Sequence, residues 1–187
     1  MNKTVLLLGV LVVIAAGALA LPTERDEWNN EIFDESRAMA VEFNATAPTV
    51  SRSEVMSRAK QWVTQKIPYC QCNGPLECCG SCPYCSTHRC DCSGYVSWCW
   101  KLPYGYTTRS LDQVSRRIDK SQLQPGDMLL NAGSHVILFG GWADSGKTTY
   151  HAYQEPGCHN SGPHYAYASV QKYPSSNYVP YRYNSIQ

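Results

Sequence analysis

The residues best suited to catalysis in this chain are one cysteine and several histidines. Cys92 lies in Asp91-Cys92-Ser93-Gly94, at the start of the apolar stretch Ser93–Trp100, which the sequence predicts to be a short buried helix. The positive end of a helix and its unpaired N–H groups favour a thiolate, the nucleophilic form of cysteine, and can also bind an oxyanion. The pattern therefore predicts that Cys92 is a nucleophile.

A nucleophilic cysteine needs a base, and histidine is the usual one. His135 opens a predicted strand and His151 closes the next one along the chain. Because residues near the open ends of a hairpin lie side by side, we expect His135 to be the base and His151 to orient its ring. Any one histidine taken alone is more often a surface or structural residue. The five candidates are His88, His135, His151, His159 and His164.

The elements around these residues indicate an α+β protein with an antiparallel sheet. A capping box at Ser51 and Glu54 starts a helix that ends at Pro68, and a second short helix is predicted over Leu111–Ile118. Alternating and apolar segments separated by turns predict the strands. The predicted strands are 127–131, 135–141 and 148–153, with two more near 165–170 and 178–183.

Length and charge narrow the class of protein. The chain has 187 residues, which suits one domain with an appendage, and its formal net charge is +1. A near-neutral chain lacks the basic surface that binds phosphate backbones, so no nucleic-acid partner is predicted. The hydrophobic fraction of 43% is ordinary for a protein with a buried core, which argues against global disorder.

The N-terminus predicts secretion. Lys3 precedes an apolar run from Val5 to Leu19, and Ala18-Leu19-Ala20 is typical of a signal-peptide cleavage site. We expect residues 1–20 to be a cleaved signal peptide, with an uncleaved anchor as the alternative. The mature protein is then secreted, or resides in a lumenal digestive compartment, without stable membrane association. Asn44-Ala45-Thr46 is an N-glycosylation sequon.

Residues 21–48 form an acidic leader. They hold seven acidic and two basic residues, a net charge of −5, whereas residues 49–187 carry a net charge of +5. The contrast indicates either a pro-segment that covers a basic cleft or a solvated arm. The catalytic domain is expected to begin at residue 49.

Ten cysteines in a secreted chain indicate disulfide bonds. Cys92 is the expected nucleophile, and Cys99, flanked by two tryptophans, is expected to be a buried free thiol. The other eight are predicted to form four bridges of unknown connectivity, most of them within an insert at residues 70–90. A zinc site with the spacing of Cys82, Cys85, His88 and Cys90 is an alternative. The eight are Cys70, Cys72, Cys78, Cys79, Cys82, Cys85, Cys90 and Cys158.

Four motifs in order resemble the NlpC/P60 family of cysteine peptidases. They are Asp91-Cys92-Ser93-Gly94, the Pro125-Gly126-Asp127 turn, the strand that begins with His135-Val136, and His151-Ala152. The resemblance covers roughly residues 51–183, except for the cysteine-rich insert, where the family has a shorter link. It implies a papain-like α+β fold. It also implies that Tyr69 corresponds to the tyrosine that precedes the family's nucleophile.

The resemblance implies a peptide substrate in bacterial peptidoglycan. The expected activity is hydrolysis of the bond between the D-glutamate γ-carboxyl and a diamino acid in stem peptides, by a monomer that needs no cofactor and no metal. As a hypothesis, Cys92 N–H and the Tyr69 hydroxyl stabilise the oxyanion, while Asp91 and Ser93 bind the free amine or a carbonyl of the substrate. The alternatives are an N-acetylmuramoyl-L-alanine amidase of the same fold and a non-catalytic, disulfide-rich secreted binding module.

Overall fold

The structure is a computed structural model that describes residues 47–72, 78–158, 163–174 and 176–187. The predicted signal peptide, most of the leader, the sequon at Asn44 and His159 lie outside these residues. Over the described residues the chain is an α+β protein in which two α-helices precede a six-stranded antiparallel sheet. The order of the sequence patterns predicts this arrangement.

The two helices pack against each other and are held by side-chain caps. Helix α1 (Arg52–Thr64) begins after Ser51, whose Oγ accepts a hydrogen bond from Glu54 N–H at 3.1 Å. Helix α2 (Cys92–Cys99) packs between α1 and the sheet, and nearly all of its residues are buried. Neither helix, nor any other in the described part of the chain, is long and apolar enough to cross a membrane.

The sheet has the strand order β1-β6-β2-β3-β4-β5, so the strand that begins with His135 lies inside it. Its neighbours β2 and β4 are joined to it by short turns, as predicted. The strands are β1 (Ser115–Arg117), β2 (Met128–Asn131), β3 (His135–Trp142), β4 (Thr149–Gln154), β5 (Tyr167–Lys172) and β6 (Val179–Tyr183).

The predicted helix over Leu111–Ile118 is wrong. Only Leu111–Val114 forms a 3₁₀ turn, and Ser115 then becomes extended and pairs with Tyr183 of β6. So short an apolar pattern fits either conformation, and the free edge of β6 decides in favour of the strand.

The centre of the sheet, strands β2 and β3, is buried on both faces, and alternate residues of each strand face opposite sides. The helices cover one face. The other face packs against the segment that contains Ile118 and Leu123. Sheet residues on the helix side are Met128, Leu130, Val136 and Leu138, and those on the far side are Leu129, Ile137, Phe139, Tyr150 and Ala152.

The predicted division of the cysteines is confirmed. Eight form four disulfides, and Cys92 and Cys99 are free and buried. Cys158 reaches back to the insert, as expected, and the cysteines of the zinc alternative are bonded to one another or to Cys72. The pairs are Cys70–Cys78, Cys72–Cys85, Cys79–Cys158 and Cys82–Cys90.

Candidate active site

Asp91 and Gly94 fix the backbone conformation at the start of α2. The Oδ1 atom of Asp91 accepts a hydrogen bond from Gly94 N–H at 2.7 Å and caps the helix. A Cβ atom at Gly94 would lie 1.9 Å from the carbonyl oxygen of Arg89, so only glycine fits there. This turn places Cys92 at the first position of the helix.

Asp91 and Ser93 are occupied by contacts within the protein. Asp91 Oδ1 also accepts a hydrogen bond from Ser93 Oγ at 3.0 Å, and Asp91 Oδ2 accepts one from Arg89 Nε at 2.6 Å. Arg89 Nη2 donates in addition to Ser93 Oγ and to the carbonyl of Tyr106. Both residues line the cleft at Cys92, and their contacts support the start of the helix.

Two backbone N–H groups point at the Cys92 thiol. Val136 N–H, from β3, and Ser93 N–H lie close enough to Cys92 Sγ to lower the pKa of the thiol. Since Val136 directly follows His135, the strand that carries the predicted base touches the predicted nucleophile. The structure thus brings together Cys92 and the start of β3.

The expectation that helix α2 favours a thiolate does not hold in the resting protein. Burial raises the pKa of Cys92 to about 12, and the negative charge of Asp91 adds to this effect. The two N–H donors and Arg89 lower the pKa, but by less than burial raises it. Cys92 is therefore a neutral thiol near pH 7, and it needs a base that removes its proton during the reaction.

This protonation state predicts slow alkylation of Cys92. The rate of reaction with iodoacetamide should rise about tenfold for each pH unit from pH 6 to pH 9, without a plateau, because only the thiolate reacts. The measurement is mass spectrometry of the peptide that contains Cys92 after timed labelling. The Cys92→Ala protein is the matched control, since it reports any reaction of Cys99. A plateau below pH 7 would show a resting thiolate instead.

His135 is held by Gln154. The Nε2 atom of His135 lies 3.1 Å from Gln154 Oε1, and Gln154 Nε2 donates a hydrogen bond to the hydroxyl of Tyr167 at 2.7 Å. Because the amide oxygen accepts, His135 Nε2 carries the hydrogen and Nδ1 is left as the basic nitrogen. Burial lowers the pKa of His135 from its ordinary value, so the ring is neutral near pH 7 and ready to take a proton.

The predicted pairing of His135 with His151 is wrong. Strand β4 extends to Gln154, and His151 lies beside Ala152, which pairs with Phe139, four residues beyond His135. The buried residues of β4 are Tyr150, Ala152 and Gln154, whereas His151 is exposed on the other side of the strand. Gln154 takes the place expected for His151.

Tyr69 lies in the same cleft as Cys92. Its side chain is mostly buried, and its hydroxyl oxygen accepts a hydrogen bond from Gln71 Nε2 at 2.8 Å. The cleft has a volume of about 370 Å³, and most of the residues that line it have polar side chains. Of the predicted site residues, Tyr69, Asp91, Cys92 and Ser93 line the cleft, whereas His135 and His151 are not among its lining residues. The other lining residues are Gln71, Arg89, Thr107, Thr108, Gly133 and Ser134.

The cysteine-rich insert borders this cleft. Cys79 N–H donates a hydrogen bond to the carbonyl of Tyr69 at 3.0 Å, and Cys79 is bonded to Cys158, four residues after Gln154. The Cys79–Cys158 disulfide therefore links the backbone that holds Tyr69 to the strand that positions His135. It closes a loop of 79 residues, the kind of cross-link that most restricts an unfolded chain.

Glu155, next to Gln154, is a buried acid. Its Oε2 accepts a hydrogen bond from Trp62 Nε1 at 3.0 Å, while its Oε1 is buried without a partner among the described residues. Burial raises the pKa of Glu155 to about 9, so the carboxyl is protonated near pH 7. It joins the end of β4 to α1.

The raised pKa of Glu155 should make the free energy of unfolding of the protein depend on pH. The pKa of Glu155 is higher in the folded than in the unfolded chain. The contribution of its protonated carboxyl to stability is therefore fully present below about pH 4.5 and is lost as the pH rises through about 9. The loss is up to about 1.4 kcal/mol for each pH unit within that window. Urea denaturation of the wild type and of Glu155→Gln at pH 5, 7 and 9 should show a decline that the variant lacks. Parallel declines in both proteins would contradict this assignment.

Comparison with models of known protein families gave no match, and no curated protein matches the chain. What the described residues define is an α+β protein with a six-stranded antiparallel sheet and four disulfides. A free cysteine at a helix N-terminus and a half-buried histidine held by a glutamine lie at one end of the sheet.

Proposed function

We propose that the chain is a secreted cysteine hydrolase of the NlpC/P60 type that cleaves stem peptides of bacterial peptidoglycan. The observation that carries the proposal is that Cys92 Sγ touches the start of β3, where Gln154 holds His135 with Nδ1 free. A helix that carries the cysteine and a sheet that carries the histidine are what a papain-like fold requires. The four motifs of the family resemblance and the predicted signal peptide support the proposal.

The first half of the reaction forms a thioester. His135 Nδ1 takes the proton of the Cys92 thiol as Sγ attacks the scissile carbonyl, and the carbonyl oxygen becomes an oxyanion. Cys92 N–H and the Tyr69 hydroxyl are the proposed donors to that oxyanion. When the C–N bond breaks, the leaving amine takes the proton from His135, and the acyl group remains on Sγ.

The second half uses water. His135 removes a proton from a water molecule that attacks the thioester, and the proton then passes to the departing Cys92 sulfur. A neutral thiol and a neutral imidazole are thereby restored. Burial shifts both pKa values in the direction that this resting state needs. Gln154 fixes the ring, and the pKa of His135 stays low because burial lowers it by more than the hydrogen bond to Gln154 and the charge of Asp91 raise it.

The polar lining of the cleft suits a peptide. Gln71, Thr107, Thr108 and Ser134 offer side-chain donors and acceptors around Cys92, as recognition of peptide amides requires. The free state of Cys92 argues against the non-catalytic binding module, since that alternative expects this cysteine to be in a disulfide.

The mass of the acyl-enzyme distinguishes the two candidate bonds. A disaccharide–tetrapeptide is mixed with the protein, the reaction is stopped with acid within seconds, and the intact protein is weighed. We expect an adduct on Cys92 that contains the sugars, L-alanine and D-glutamate, because the γ-carboxyl is the proposed acyl group. An adduct without amino acids would show the amidase instead. The Cys92→Ala protein should give neither adduct.

A further inference from the structure

The hydrogen-bond chain that starts at His135 does not end at Gln154. It continues to Tyr167, and His135, Gln154 and Tyr167 lie on the same side of three neighbouring strands. Gln154 and Tyr167 are direct partners in the register of β4 and β5. His135 lies diagonally from Gln154 on β3, within reach of a long side chain. The register of the sheet thus places one polar row across its end.

Gln154 needs Tyr167 because the amide is almost fully buried. Only 7% of the Gln154 surface is exposed, and its Nε2 donates to Tyr167 Oη at 2.7 Å while its Oε1 accepts from His135. A buried amide donor without a partner costs about 1–3 kcal/mol, and Tyr167 Oη accepts from Nε2 in the orientation that the structure shows. The opposite orientation would require the Tyr167 hydroxyl to donate to the amide oxygen, would turn the NH₂ group toward His135 Nε2 and would move the ring hydrogen to Nδ1.

We infer that Tyr167 is a positioning residue that acts through Gln154 on the tautomer of His135. Its hydroxyl accepts the hydrogen bond that keeps the amide oxygen of Gln154 directed at His135 Nε2. That contact leaves Nδ1 without a hydrogen, which is the form able to take the Cys92 proton. This role adds a residue to the proposed catalytic site, and the expected effect of Tyr167 on turnover rests on the proposed function.

The test compares Tyr167→Phe with Tyr173→Phe. The control removes the hydroxyl of Tyr173, the residue directly after β5, whose ring packs against Trp142 and Tyr150. Tyr167→Phe should lower kcat by between about tenfold and about 100-fold with little change in KM, because the base is misplaced while the cleft is intact. It should also lower the fraction of His135 with hydrogen on Nε2, measured by nitrogen-15 NMR of the imidazole rings. Tyr173→Phe should change neither.

The NMR measurement separates this inference from the proposed function, because it needs no substrate. An unchanged His135 tautomer and an unchanged kcat in Tyr167→Phe would overturn the inference. A wild type that cleaves no peptidoglycan would count against the proposed function, and the tautomer in Tyr167→Phe would still decide the inference. Gln154→Ala should shift the tautomer at least as far, and an unchanged tautomer in that variant would also overturn it.

Discussion

Replacement of Cys92 by alanine is expected to lower peptidoglycan hydrolysis by at least about a thousandfold. The substitution removes Sγ, the only atom proposed to form a covalent bond with the substrate, and the other groups of the site cannot replace it. The fold should survive, because Cys92 belongs to none of the four disulfides. Release of soluble fragments from purified peptidoglycan measures the activity, and circular dichroism checks the fold.

Cys99→Ala is the matched control for this experiment. Cys99 is the other free cysteine, it lies on the same helix, and it is fully buried in the core. We expect this variant to lose stability through the small cavity it leaves, but to retain its activity per folded molecule. Activity above a few per cent in Cys92→Ala, or an equal loss in Cys99→Ala, would mean that Cys92 is not the nucleophile.

His135→Ala should be nearly as damaging as Cys92→Ala. The Cys92 thiol has a pKa of about 12, so without a base very little thiolate forms near pH 7. We expect a loss of at least about a hundredfold in kcat/KM. The remaining activity should rise steeply between pH 7 and pH 9, where hydroxide begins to replace the base. Initial rates across this pH range measure both effects.

His151→Ala provides the comparison with a histidine of the same hairpin. Its side chain is exposed on the other side of β4 from Gln154, so the variant should keep nearly full activity. A loss in His151→Ala as large as that in His135→Ala would contradict the placement of Gln154 as the partner of the base. It would instead favour the pairing that the sequence pattern suggests.

Local patterns predicted most of the fold. The cap at Ser51, the apolar face that follows it, and the alternation of β3 and β4 are features of neighbouring residues, so they can be read from the sequence. The segment Leu111–Ile118 was mispredicted because its conformation depends on β6, which lies about 65 residues further along the chain. Pairing over that distance leaves no local pattern.

The sequence pattern singled out Cys92 and His135, which stay a predicted pair, but it did not identify the residue that holds His135. Cys92 and His135 each stand at the start of an element, which is a recognisable position. Gln154 was missed because the prediction ended the strand at residue 153 and assumed a direct cross-strand partner. The observed partner is diagonal and an ordinary amide, whose role appears only once the register is known.

The protonation state of Cys92 could not be predicted from its position on the helix. The helix N-terminus and two N–H donors favour the thiolate, but burial raises the pKa of Cys92 more than they lower it. The connectivity of the disulfides is likewise a property of the folded loop. In contrast, the prediction that two cysteines remain free followed from their place on α2 and is confirmed.

The most direct test of the proposed function is mass spectrometry of muropeptides after incubation with the protein. Muropeptides from peptidoglycan that contains a diamino acid are treated with the wild type and, in parallel, with Cys92→Ala. The proposal predicts that the wild type alone converts them to disaccharides that carry L-alanine and D-glutamate, with release of a fragment that begins with the diamino acid. Unchanged muropeptides in both samples, from wild-type protein with all four disulfides formed and Cys92 free, would contradict it.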